Sequence, residues 1–204
     1  MPSPRFGRLP PERRAQLLSV ARGRLARGAD AASYNQIIAE SGISKTTAYL
    51  YFDGKEDLVA EVWRDLLERL GAVLGPWRPA ASATDFWRQL SSASDALRRH
   101  LGSHPDDLGL LAQAQAQARA DPSPLDGWFV DLVDNGVALS VIRDDLPRPL
   151  LVAATAAVFR VIDAHVLERL VRGRPVDAEP GWALLRGLWA APMKPRRRKR
   201  GRSR

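Results

Sequence analysis

Residues 44–58, Ser-Lys-Thr-Thr-Ala-Tyr-Leu-Tyr-Phe-Asp-Gly-Lys-Glu-Asp-Leu, set the tightest limit on what this chain can fold into. They place small hydroxyls, two tyrosines and two lysines on about two helical turns and the turn that follows. A short helix lying against phosphates needs those types, because hydroxyls and ammoniums donate to anionic oxygens. Upstream, Tyr34 to Glu40 reads as a second short helix with Ile37 and Ile38 facing inward. Gly42 between the two suits the positive φ of a tight turn. Ser33 and Ser44 are the predicted N-caps. Ile43, Ala48 and Phe52 would lock the later helix onto its neighbours. This is the layout of a helix-turn-helix over residues 33–52, whose second helix enters the DNA major groove.

The remainder reads as helix throughout, with no strand alternation and no internal repeat. Pro10-Pro11-Glu12 opens a first helix, and Gly28-Ala29-Asp30 closes it. A fourth helix starts near Gly54-Lys55-Glu56-Asp57, carries Leu58, Val62, Trp63, Leu66, Leu67 and Leu70, and stops at Gly75-Pro76. Five more follow: Asp85 to Leu101, Asp106 to Ala120, one opened by Pro122 or Pro124, Arg148 to Val171, and Pro180 to Ala191. The expected fold is all-α, about nine helices in total. It divides into a DNA-binding domain at 10–70, a helical body at 71–192, which the family resemblance described below implies is the regulatory and dimerisation domain, and a basic, disordered tail at 193–204.

Charge supports that division. Residues 1–55 hold nine Lys/Arg against four Asp/Glu, and residues 56–193 hold 14 against 19. Residues 194–204 add eight bases and no acid. A basic head, an acidic body and a basic tail suit a polyanion facing the head, with the tail adding non-specific affinity. The chain has no cysteine, which removes disulfides and thiolate metal sites and fits a reducing cytosol. No apolar run is read as approaching a membrane span, and the N-terminus lacks the apolar core of a signal peptide. A soluble intracellular protein is expected, and the family resemblance below implies the bacterial cytoplasm, on the nucleoid.

The first 70 or so residues resemble the DNA-binding domain of the TetR family of bacterial transcriptional regulators. Gly42, Ser44, Thr47, Tyr49, Tyr51, Phe52, Lys55, Glu56 and Leu58 carry the resemblance at the family's spacing. Ser41 stands where a small Ala is usual, and Gly54 where Ser or Asn is commoner. The resemblance implies a three-helix reading head joined by the fourth helix to a helical regulatory domain. It also implies a homodimer built on the last two long helices, a pseudo-palindromic operator, and a cavity whose small-molecule ligand releases the DNA.

Within the head, Lys45 and Thr46 are assigned to base edges: lysine reaches guanine O6 and N7, and threonine offers a hydroxyl and a methyl. Thr47, Tyr49 and Lys55 are assigned to phosphate, with Lys55 where free helix N–H groups already favour anions. Tyr51 reaches the backbone or packs at the edge of the core. Ser33, Tyr34, Asn35 and Ser44 complete the predicted DNA-binding set. Ser33 is a cap first and a phosphate contact second.

Trp63, Phe86, Trp87, Trp128, Phe129 and Phe159 are the candidate pocket lining, with His100, His104, Gln113, Asp163 and His165 as polar anchors. Aromatics at helical spacing are more often ordinary core. No metal site is expected, since Gly102 and Pro105 interrupt the one suitable histidine spacing, His100 to His104. Leu150 to Leu170 and Trp182 to Trp189 are the candidate dimer faces, because a helix apolar on several sides must be buried on several sides. No nucleophile elbow, phosphate loop or zinc motif is present in the sequence, so no enzyme and no cofactor is expected. The leading reading is a repressor released by a small-molecule effector. The alternative is an activator, or a regulator answering to a protein partner, with a filled regulatory domain.

Overall fold

A computed structural model describes residues 3–28, 32–117 and 125–190, with backbone alone for 114–117. Among these residues there are ten α-helices and no strand. They are α1 (Pro4–Gly7), α2 (Pro11–Leu25), α3 (Tyr34–Glu40), α4 (Lys45–Tyr51), α5 (Lys55–Leu74), α6 (Ala83–Ser103), α7 (Pro105–Gln117), α8 (Asp126–Ala138), α9 (Arg148–Val171) and α10 (Glu179–Trp189). The basic tail, and the prolines expected to open α8, lie outside the described residues.

The one helix that periodicity missed is α1, only four residues long. Phe6 explains why it forms. Its ring lies 4.8 Å from that of Phe52 and 6.0 Å from that of Tyr51. Just ahead of it, the Ser3 amide donates to the Tyr51 carbonyl at 2.8 Å, and its hydroxyl donates to the Leu50 carbonyl at 2.5 Å. The N-terminal segment is therefore tied to the end of α4, where carbonyls otherwise lack partners.

The head packs as its pattern requires. Ile37, Ile38, Ala48 and Phe52 are all buried, and Gly42 takes φ +69° in the turn between α3 and α4. Complete burial of each such large apolar side chain contributes about 1.5–3 kcal/mol. The same apolar cluster runs on through Leu58, Val62, Leu66 and Leu70 of α5 to Leu101, Leu110 and Leu167 of α6, α7 and α9. A second cluster lies farther out. It gathers Trp77, Phe86, Leu90, Leu132, Val133, Ile142, Leu151, Leu185 and Trp189. There the Trp189 indole N–H donates to the buried Thr155 hydroxyl at 3.0 Å. Asn135 ties down the strap after α5, accepting from Trp77 Nε1 at 3.1 Å and the Ala80 amide at 2.8 Å.

Two sequence expectations need correction. The α9 helix is long and apolar enough to cross a membrane by length and composition, although no comparable run was read in the sequence. Arg160 and Asp163 break the run in the linear sequence, while the alanines and branched residues around them keep the average apolar. Gly102 does not interrupt α6, which continues to Ser103 and stacks the His100 and His104 rings 4.0 Å apart. Neither histidine is poised for a metal. His100 Nε2 meets Asp107 at 2.8 Å, and His104 Nδ1 meets the His100 carbonyl at 2.8 Å.

Candidate nucleic-acid interface and effector cavity

The second helix of the turn is set by its cap. Ser44 Oγ accepts from the Thr47 amide at 3.0 Å and pairs with the Thr47 hydroxyl at 2.8 Å. That fixes the first turn of α4 and engages both hydroxyls with each other. Lys45, Thr46 and Tyr49 are exposed on the outer side of α4, with Tyr49 58% accessible. Lys45 and Thr46 precede Tyr49 by four and three residues, so each neighbours it on the helix surface. Tyr51 turns the other way, half-buried against Phe6.

Ser33 occupies the N-cap position of α3, but its side chain makes no capping bond, which corrects the expected order of its roles. Asn35 is exposed beside it. Tyr34 is half-buried with its ring 5.8 Å from that of Tyr49. Its hydroxyl is enclosed without a hydrogen-bond partner, and burial raises its pKa above the ordinary range. Lys55 is half-buried at the first position of α5. Gly54 precedes it at φ 154°, ψ −166°, a conformation reserved for glycine. Arg24 of α2 and Glu40 of α3 form a two-pronged pair that braces the head, with Nε–Oε2 at 2.7 Å.

Behind the head, α7 meets the end of α2. Gln113 Nε2 donates to the Leu25 and Ala26 carbonyls, both at 2.8 Å. Gly109 lets the two helices approach: a Cβ there would sit 2.9 Å from the Ala26 carbonyl oxygen. Asp107, 1% exposed, receives Arg69 of α5 and His100 of α6, and Arg22 of α2 lies 3.5 Å away. Asp65 joins the same cluster through Arg22 at 3.1 Å and Arg69 at 3.0 Å. Four helices thus meet on one group of charges.

A cavity of about 570 Å³ lies between α5, α6, α7, α9 and α10. Phe159, Ile162, Asp163, Val166 and Leu167 of α9 line it, with Leu70, Leu101 and Trp182 opposite. Of the residues singled out in the sequence, it brings together Phe159, Asp163 and His165. The remaining aromatics stand elsewhere. Trp63 flanks the first cluster, while Phe86, Trp87 and Trp128 belong to the second. Phe129 stacks on Phe159 at 5.4 Å. His100 and Gln113 spend their polar atoms on Asp107 and α2. Arg98, Asp95 and Trp182 also line the cavity without having been assigned to it; Arg98 and Asp95 are exposed on α6, and nothing in the sequence marks them as lining.

Asp163 is exposed on the cavity wall, and the protein packed around it raises its pKa from 3.8 to about 6. It has no hydrogen bond or ion pair among the described residues.

A capped helix-turn-helix carried on an all-helical body defines a DNA-binding transcriptional regulator. The comparisons make the family specific. Residues 17–62 match the sequence model of bacterial regulatory proteins, tetR family. A TetR family transcriptional regulator from Chloroflexus aurantiacus J-10-FL is 25% identical at a TM-score of 0.53, over 92% of this chain and 90% of that one. A protein described as a tetR family transcription regulator, from Shewanella sp. PV-4, superposes at a TM-score of 0.61 with 14% identity, over 87% and 96%. One described as a transcription regulator, from Lactobacillus plantarum, reaches 0.56 with 18% identity, over 85% and 96%. The last two bear on the fold alone. No curated protein matches the chain. Residues 17–62 thus carry the DNA-binding domain of the TetR family, and the chain as a whole resembles a TetR family transcriptional regulator.

Proposed function

We propose that this regulator is a homodimeric repressor, active in the cytoplasm, that leaves a pseudo-palindromic operator when a small molecule fills its body. The observation that carries the reading is the 570 Å³ cavity walled by Leu67, Leu70 and Leu74 at the far end of α5, the helix that begins with Lys55. A ligand there bears on α5 and α6, so it can change the spacing of two heads without touching DNA. A filled body answering only to a protein partner is the weaker reading for the same reason.

In this reading Lys45 and Thr46 touch base edges, and Tyr49 and Lys55 touch phosphate, with Thr47, Ser44, Ser33, Tyr34, Asn35 and Tyr51 supporting the docked pose. Phosphate contacts set register and base contacts set sequence. The dimer is inferred from α9 and α10. Leu150 and Val171 are exposed on one side of α9, while Val161 of α9 and Leu184 of α10, also exposed, edge the cavity. Only 17% of the most apolar window of α9 is buried in one chain. An apolar stripe of that length needs a cover, and a second copy offers the same stripe.

The test is a gel shift on the DNA upstream of the chain's own gene, with and without cell metabolite extract. Retarded DNA that an extract component of low molecular mass releases supports the reading. DNA that is never retarded, or whose retardation no small molecule changes, contradicts it.

A further inference from the structure

The cavity at the far end of α5 has one charged group with nothing to balance it. Asp163 sits in the middle of an apolar stripe on α9, with Phe159 and Ile162 before it and Val166 after it. These positions recur at helical spacing, so all four face the same space. No hydrogen bond or ion pair among the described residues reaches the carboxylate. The carboxylate is exposed on the cavity wall, so its charge is free to meet a ligand.

The other charges on the wall are already engaged. Arg98 donates to Asp95 at 2.8 Å. Asp177 accepts from the Glu179 amide at 3.0 Å at the start of α10. His165, two residues along α9, lines the same cavity and adds an imidazole to its wall. The wall therefore carries three carboxylates against one guanidinium and one imidazole. An anionic ligand would meet a surplus of negative charge, and a neutral one would leave Asp163 unbalanced. A lipophilic cation would satisfy both the apolar wall and the carboxylate.

We propose that the effector class of this cavity is a lipophilic cation, an amine or quaternary ammonium on an apolar or aromatic body, whose charge is read by Asp163. The inference rests on the small-molecule reading above and narrows it. The trimethylammonium or protonated amine lies against the carboxylate, and the body fills the space between Phe159, Val166 and Trp182. No bond is made or broken. Recognition is a charge pair formed in surroundings drier than bulk water, where it is worth more than on a surface.

The test uses the full chain and three probes sharing one naphthylbutyl body, ending in trimethylammonium, hydroxyl or carboxylate, with affinities read by titration calorimetry. The cation should bind at least about tenfold tighter than the alcohol, with the carboxylate weakest. Asp163→Asn should erase the gap between cation and alcohol, and Asp163→Glu should keep most of it. Val166→Trp, which fills the cavity, should weaken all three probes. Equal binding of cation and alcohol, or a preference for the carboxylate, would overturn the proposed class while leaving a ligand-binding cavity in place. Failure of every probe to bind would overturn the class and the small-molecule reading together.

Discussion

Arg69 Nη1 stands 2.8 and 3.0 Å from the two carboxylate oxygens of Asp107, joining the helix that leaves the head to the helix that closes behind it. The same arginine reaches Asp65 through Nε at 3.0 Å, while its Nη2 is buried without a partner. Asp107 also faces His100 and Arg22, so one carboxylate organises four helices. Removing it leaves two guanidiniums partly buried and short of an anion. Asp107→Ala should therefore lower stability by about 3 kcal/mol. Urea unfolding measures it, and a loss within experimental error would show that the cluster is solvated.

The contact of α7 with α2 depends on the absence of a side chain. A Cβ on Gly109 would stand 2.9 Å from the Ala26 carbonyl oxygen and 3.1 Å from its Cβ. Backbone on both sides cannot give way cheaply. Gly109→Ala should cost about 1–3 kcal/mol through overpacking. Thermal unfolding reads the cost. Amide exchange should show extra opening at the end of α2, where Gln113 holds the last carbonyls.

Asp163 makes a pH-dependent contribution whose sign is fixed by its surroundings. The protein packed around it raises its folded pKa from 3.8 to about 6, so between those values the folded chain holds a proton that the unfolded chain has released. Stability from this group is thus present at low pH and lost as pH rises through about 6. Asp163→Asn cannot ionise. The variant should match its parent near about pH 4 and exceed it above pH 6, by about 1 kcal/mol once water access to the cavity is allowed for. Urea midpoints at the two pH values measure the difference, and an advantage at low pH alone would reverse the sign.

Assembly is tested at Leu150, 53% exposed on the outward stripe of α9. Leu150→Glu puts a charge on that stripe without touching the core or the cavity wall. Light scattering should show a monomer where the parent is a dimer, with unchanged helicity and weaker operator binding. A variant that stays dimeric would move the interface elsewhere.

Much of the head was legible because short-range rules act there in concert. Gly42 at positive φ, Ser44 as a cap, and Ile37, Ile38, Ala48 and Phe52 turned inward are all local consequences of residue type. The bounds of α3 and α9 coincide with those read from periodicity. Helix α1 was not legible, since four residues held by Phe6 and Ser3 contain no period to read. The cavity was harder still. Aromatics such as Phe86 and Trp87 show the same spacing whether they line a space or fill a core, and they fill one. Gln113 and His100 looked like anchors for a ligand because their partners, the α2 carbonyls and Asp107, are tertiary. Asp163 could be singled out because a lone acid within an apolar stripe is visible in sequence.

The most direct test of the central claim is selection of bound duplexes from random DNA with the full chain and with Lys45→Ala and Lys55→Ala. The wild type should enrich an inverted repeat whose half-sites lie about one helical turn apart, as two symmetric heads require. Lys45→Ala should relax preference at one or two base pairs in each half, and Lys55→Ala should weaken binding evenly on all sequences. Enrichment of no sequence by the wild type, or identical motifs from the wild type and Lys45→Ala, would contradict the account.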